Sequence, residues 1–380
     1  MNALQTPATR HAPEAAPPAR AFAAPPQPLA PARWDWGEVR RVLVVRLRSI
    51  GDTVLSTPSL YALRRFLPDA QIDLLLEDWV APLLDGNTDA SRILTVRRDS
   101  RTTARLALAR RLRAGRYDVA FNLHGGSTAA LLTRASGARH RVGYESYRFS
   151  QLHNHAAPPA TDLWRQAKTH SVEQQLGLLG WTGVPVTDRP AARLSVTDES
   201  AARIARRLDA AGVGASQPFA LFHPAAAFDS KRWDARNFAR IADRLDALGF
   251  IAVAVAAPGE TDVVGAFAQS AATARVVSFN DLSLPEVVAL AARARLFVGN
   301  DSGIAHIAAA VGTPSVVVFG SSNVAHWRPW TNAPSEIVRE EMPCAPCAGY
   351  TCGEFAEAQC IRRVTVERVN AAVERVLAAG

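Results

Sequence analysis

The run from Leu296 to Gly320, LFVGNDSGIAHIAAAVGTPSVVVFG, constrains the fold more than any other part of the chain. Leu296, Phe297 and Val298 form an apolar run short enough for a buried strand, and Gly299 punctuates it. Asn300, Asp301 and Ser302 then supply three helix-capping residue types in a row. Gly303 to Val311 is alanine-rich and helix-like, with Gly312 at the stop and Pro314 beyond it, and Ser315 to Phe319 is a second buried strand. A strand, short helix and strand in this order imply a parallel sheet, whose ligands sit at the strands' carboxyl ends. The polar turn then lies where free helix amides can hold an anion such as a diphosphate, and Gly303 allows close backbone approach. The same three residues also fit a simple capping cluster.

Similar units recur on both sides. Arg41 to Leu47 reads as a first strand, and Arg48-Ser49-Ile50-Gly51-Asp52 turns from it into a helix running towards Phe66, with Pro58 in a first helical turn. Gln71 to Glu77, Ile93 to Val96 and Tyr117 to Leu123 follow as strands, Thr102 to Ala114 as an amphipathic helix. The stretch from Tyr144 to Trp164 reads as irregular. A second series starts at Phe219 to Phe222 and continues through Phe250 to Ala256 and Val276-Val277 into the central stretch. With 380 residues, nearly half of them apolar, the chain can bury two cores, since single cores stop growing near roughly 250 to 300 residues. The expected division is a disordered Ala/Pro-rich extension over 1–38, a first domain over 39–190 and a second over 191–380. The net charge of +8 suggests an acidic partner. Nucleic acid is disfavoured, because the basic residues are spread through many helices rather than interleaved with stacking aromatics. No run reaches the length of a membrane span and no secretory core opens the chain, so a cytoplasmic protein is expected.

The wording GNDSGIAHIAAAVGTP followed by VFG, the opening strand with Gly51-Asp52, the loop His223 to Trp233 and the cysteines of the tail together resemble glycosyltransferase family nine, the ADP-heptose:lipopolysaccharide heptosyltransferases. The resemblance runs from about Arg41 to the C-terminus. It implies an α/β fold in the GT-B arrangement of two facing Rossmann-like domains, with the donor held mainly by the second. It implies Asp52 as the catalytic base and Gly51, Lys231, Glu260, Asp301, Ser302, Gly303, His306 and Ser322 as donor-binding residues, Glu260 at the ribose. Arg148 fits the acceptor phosphate through its bidentate fork. The reaction implied is inverting transfer of heptose or a related sugar from ADP-heptose to a phosphorylated glycolipid of the lipopolysaccharide core, without a catalytic cofactor, at or near the inner membrane surface. Two other readings stand beside it: a nucleotide-sugar-binding protein without transfer activity, and a family member that glycosylates another acceptor such as a protein. The chain departs from the family at Ala225 to Ala227, at Asp234 where proline is usual, and at Ser321-Ser322 where proline-threonine is common.

All four cysteines fall between Cys344 and Cys360, in a cysteine-rich loop over 344–360. Clustered thiols in a cytosolic chain point to metal ligation before disulfides, and Cys344, Cys347, Cys352 and Cys360 are expected to hold one structural zinc or iron ion. The final helix, Val366 to Leu377, is expected to pack back across the domain junction, as the GT-B arrangement implies.

Overall fold

The computed structural model describes residues 24–97, 102–347 and 351–380. Its frame is two parallel six-stranded sheets. The first contains β1 (Arg41–Val45), β2 (Gln71–Glu77), β3 (Arg92–Val96), β4 (Val119–Asn122), β5 (His140–Tyr144) and β6 (His155–Ala157), in the order β3-β2-β1-β4-β5-β6. The second contains β7 (Phe219–His223), β8 (Ile251–Val255), β9 (Val276–Phe279), β10 (Leu296–Asn300), β11 (Ser315–Phe319) and β12 (Ser335–Arg339). Its order, β9-β8-β7-β10-β11-β12, repeats that of the first. Each order reverses direction once, at β1/β4 and at β7/β10, and a crevice opens at the carboxyl ends there.

The apolar runs form strands because both faces of each sheet are covered, which turns an alternating pattern into a continuous one. Val42 and Val44 enter one core, while Leu43 and Val45 enter the core on the opposite face. In the second sheet Val316 and Val318 separate in the same way from Val317 and Phe319. The side-chain period of two thus survives inside an unbroken hydrophobic run. One of these cores crosses between the sheets. Val54 and Leu83, from segments that follow β1 and β2, are buried among Val287, Ala305 and Ile307 of the second half.

Three expectations are corrected. Residues 1–23 lie outside the described residues, but 24–38, expected as part of a disordered extension, pack on the first domain. The indole N–H of Trp36 donates to Thr182 O at 2.8 Å and its ring is buried, while Trp34 stacks on His140 with centroids 4.3 Å apart. Aromatic residues at 34 and 36 supply the apolar area that the alanine and proline content before them lacks. Second, the stretch from Tyr144 to Trp164 contains strand β6 and the helix Ala160–Trp164. Third, the helix Val366–Ala379 does not cross the junction: it packs on the helix Ala235–Asp246 and on β11 and β12. The crossing is made by the segment after β11. His170 Nε2–H donates to Arg328 O at 2.8 Å, and the indole of Trp330 donates to Pro190 O at 2.9 Å.

Candidate functional site

The carboxyl edges of the two sheets face each other across a cleft of about 870 Å³, within the size range of small-molecule sites. Its first wall begins where β1 ends. Ser49 stands at the N-cap of the helix Ile50–Val54, accepts from the Asp52 amide, and donates its hydroxyl to Asp52 Oδ2 at 3.1 Å. The other Asp52 oxygen is paired with the guanidinium of Arg46, which is buried and also donates to Leu123 O at 2.9 Å. A carboxylate is therefore fixed in the cleft wall by a buried cation behind it. His124 lies close enough to feel Arg46 and Asp52, and burial pushes its pKa down to about 4, so the ring is neutral near pH 7.

The second wall is built from β7, β8 and β10. Lys231 Nζ donates to Asp301 Oδ2 at 2.8 Å, and the Ser322 hydroxyl donates to the same oxygen. Asp301 was a candidate helix cap, but its carboxylate is engaged by Lys231 and Ser322. The N-cap of Gly303–Ala310 is Ser302, with no side-chain cap hydrogen bond. Ser302 Oγ instead meets His223 Nδ1 at 3.1 Å, and His223 Nε2 lies 3.6 Å from Glu260 Oε2. The His223 imidazole, helped by the Ala257 amide, holds the Glu260 carboxyl below its ordinary range against the effect of burial. His306 is buried in the cleft wall with its Nδ1 unpartnered. Burial keeps this ring neutral by lowering its pKa, with Asp301 and Asp52 opposing.

Two glycines bring the walls together. A Cβ on Gly51 would stand 2.7 Å from His306 Cδ2, and one on Gly303 would stand 2.8 Å from Ile50 Cβ. Any larger residue at either place would push one helix N-terminus away from the other.

Gly51, Asp52, Lys231, Glu260, Asp301, Ser302, Gly303 and His306 thus line one cleft, with Ser322 held just behind Asp301. Arg148 is exposed, its guanidinium over the Phe149 ring, and is not among the cleft-lining residues. Sequence reasoning missed Arg46 as the partner of Asp52. The available signal was an arginine next to the carboxyl end of an otherwise apolar strand, where only a buried counter-charge would make it tolerable. It also missed Trp79, which lines the cleft from the end of β2.

The four cysteines line a separate cavity of about 230 Å³ behind Ser230 and Ser321, and Cys347 N donates to Ser321 O at 3.0 Å. Burial and the neighbouring thiols raise the Cys360 pKa. All four are free, and among the described residues no three His, Cys, Asp or Glu side chains are arranged to hold a metal ion. One shared cavity brings the four cysteines near each other.

Two doubly wound domains facing each other across a single cleft define the GT-B class of architecture. The model described as glycosyltransferase family 9 (heptosyltransferase) matches residues 105–356, and the chain belongs to that family and is a glycosyltransferase. It is 32% identical over 260 residues to lipopolysaccharide heptosyltransferase 3 of Escherichia coli, covering 64% of this chain and 73% of that protein. In structure it resembles a family 9 glycosyltransferase from Veillonella parvula, with a TM-score of 0.78 at 20% identity over 90% of this chain and 98% of the other. It also resembles the Escherichia coli ADP-heptose lipopolysaccharide heptosyltransferase II, with a TM-score of 0.74 at 22% identity over 89% and 98%.

Proposed function

We propose that the protein transfers heptose, or a closely related sugar, from ADP-heptose to a phosphorylated glycolipid of the lipopolysaccharide core, with inversion at the anomeric carbon. The observation that carries the reading is the pairing of opposite chemistries across one cleft. A fixed carboxylate, Asp52, faces a wall that offers a lysine, an uncapped helix N-terminus and a buried imidazole with an unpartnered nitrogen. Asp52 takes the proton of the acceptor hydroxyl as that oxygen attacks the anomeric carbon. The carbon–oxygen bond to the diphosphate breaks on the opposite side. The charge that develops there is met by the amides at Gly303 and by Lys231, groups already in place before reaction. Glu260 accepts hydrogen bonds from the ribose hydroxyls, its carboxylate kept ionised by His223 and the Ala257 amide.

The names of the relatives support heptose as the sugar and lipopolysaccharide as the acceptor. A nucleotide-sugar-binding protein without transfer activity would have no use for an anchored carboxylate on the wall facing the donor, and Asp52 with Arg46 favours the enzyme. No helix among the described residues is long and apolar enough to cross a membrane. The net positive charge suits work at the anionic inner face of the cytoplasmic membrane. The test is to incubate the protein with ADP-heptose and heptose-deficient core glycolipid and to follow ADP release and product mass. Thermal stabilisation by ADP without turnover on any acceptor would leave only the binding reading.

A further inference from the structure

We infer that Trp79, contributed by the first domain, closes over the nucleobase of the donor and supplies part of the enzyme's nucleotide affinity. The inference rests on the nucleotide-sugar reading and extends it to a residue of the opposite domain.

The argument starts from strand order. Along the carboxyl edge of the second sheet, β10 carries Gly303, β7 leads to Lys231, β8 leads to Glu260, and β9 leads to Leu282 and Leu284. The edge therefore changes from anion-binding through a single carboxylate to apolar. A nucleoside diphosphate has the same order of parts: diphosphate, ribose, base. The base then falls beside Leu282, Leu284 and Val287, which line the cleft.

The first sheet lies over this edge in matching order. The helix Ile50–Val54, after β1, packs on the helix Gly303–Ala310. The turn Ala81–Leu84, after the neighbouring strand β2, packs on the helix Leu284–Arg293, with Leu83 buried beside Val287 and Val288. Trp79 lies two residues before that turn, so it is carried to the base end of the cleft while Asp52 stays at the phosphate end. Its indole N–H donates to the buried Glu77 at 2.8 Å, which fixes the ring, yet 49% of the residue is exposed within the cleft lining. A large aromatic ring held in place by its polar edge with a face left open is suited to stacking. It stacks on any base, since each presents a π-face.

The test is titration calorimetry with ADP and with inorganic pyrophosphate, on the full chain and on the Trp79→Ala and Trp79→Phe variants. Trp79→Ala is expected to weaken ADP by about tenfold, the loss typical of one base-stacking aromatic. Trp79→Phe, which keeps a ring, is expected to stay within about threefold, and pyrophosphate, which has no base, is expected to bind all three proteins alike. ADP should also quench a part of the tryptophan fluorescence that is missing in Trp79→Phe. Equal ADP affinity in Trp79→Ala and the wild type would overturn the inference. So would a Trp79→Phe variant as weak as Trp79→Ala, because the Glu77 hydrogen bond rather than the ring face would then matter. A rise confined to the acceptor's KM would assign the ring to the other substrate and overturn it too. A wild-type protein that binds pyrophosphate but neither ADP nor any other nucleoside diphosphate would bring down the nucleotide reading itself, a result distinct from these.

Discussion

At the switch point of each sheet an ion pair stands in the cleft wall, and the two pairs are arranged in opposite senses. In the first domain the inner partner is the cation: the Arg46 side chain is 8% exposed and the Asp52 side chain outside it is 19% exposed. In the second the inner partner is the anion: the Asp301 side chain is 6% exposed and that of Lys231 24%. One wall therefore presents a carboxylate and the other an ammonium, although the strand order behind them is the same. The fold places polar loops at each switch point, and which charge of the pair lies outermost makes one wall suited to accept a proton and the other to hold a phosphate. Each outer group is oriented by a partner that cannot easily leave, because removing one member of a buried pair strands the other.

The comparison breaks most visibly at Asp52. Replacing Asp52 by Asn keeps the shape but removes the proposed base, and turnover should fall at least a hundredfold while the ADP dissociation constant stays within about twofold. Steady-state kinetics beside calorimetry on the same preparation check this. Turnover above about a tenth of wild type would take the role of base away from the first wall.

On the second wall, Lys231→Ala removes the cation proposed to meet the phosphates and leaves Asp301 buried without it. ADP affinity should drop by about tenfold or more, together with a lower melting temperature. Asp301→Asn keeps a hydrogen-bond acceptor for Lys231 and Ser322, so its loss in affinity should be smaller. The reverse ranking in an ADP titration would mean that Asp301, not Lys231, contacts the nucleotide.

The seam between the walls should respond to acid. His170 Nδ1 accepts from the Val172 amide at 3.1 Å and Nε2–H donates to Arg328 O, an arrangement only the neutral ring can make. Burial pushes its pKa down to about 3, and His124 to about 4. Unfolded histidines titrate near pH ~6.5, so below that the unfolded chain binds more protons and stability falls as the pH drops. Melting temperatures measured from pH 7 to 5 should decline, and less steeply in His170→Asn, which retains a capping side chain without the titration. Parallel curves for the two proteins would remove His170 from this account.

The smallest effect is expected at the cysteines, whose cavity lies behind the second wall. Exposed Cys347 should alkylate first and buried Cys360, with its raised pKa, last, with little change in turnover of the folded enzyme. Four thiols that stay protected until a chelator is added would restore the metal site expected from their spacing.

The sequence alone determined the two α/β domains, because continuous apolar runs between polar turns allow little besides buried parallel strands. Gln71–Glu77, Thr102–Ala114 and Ser315–Phe319 fall at the boundaries read from the chain. Motif wording was enough to select eight of the residues that line the cleft, because their chemistry depends on short-range turns such as Gly51-Asp52 and Asp301-Ser302-Gly303. Tertiary structure decided which charges face each other, since Arg46 and Asp52 are six positions apart but Lys231 and Asp301 are seventy, and no local pattern encodes the second pairing. It also decided that Trp36 is buried, that the chain recrosses at Arg328 and Trp330 rather than at the final helix, and that the four cysteines share one cavity behind the second wall. Each of these outcomes depends on what lies across a gap in space, and hydrophobic periodicity reports only that a residue is covered, not by which partner.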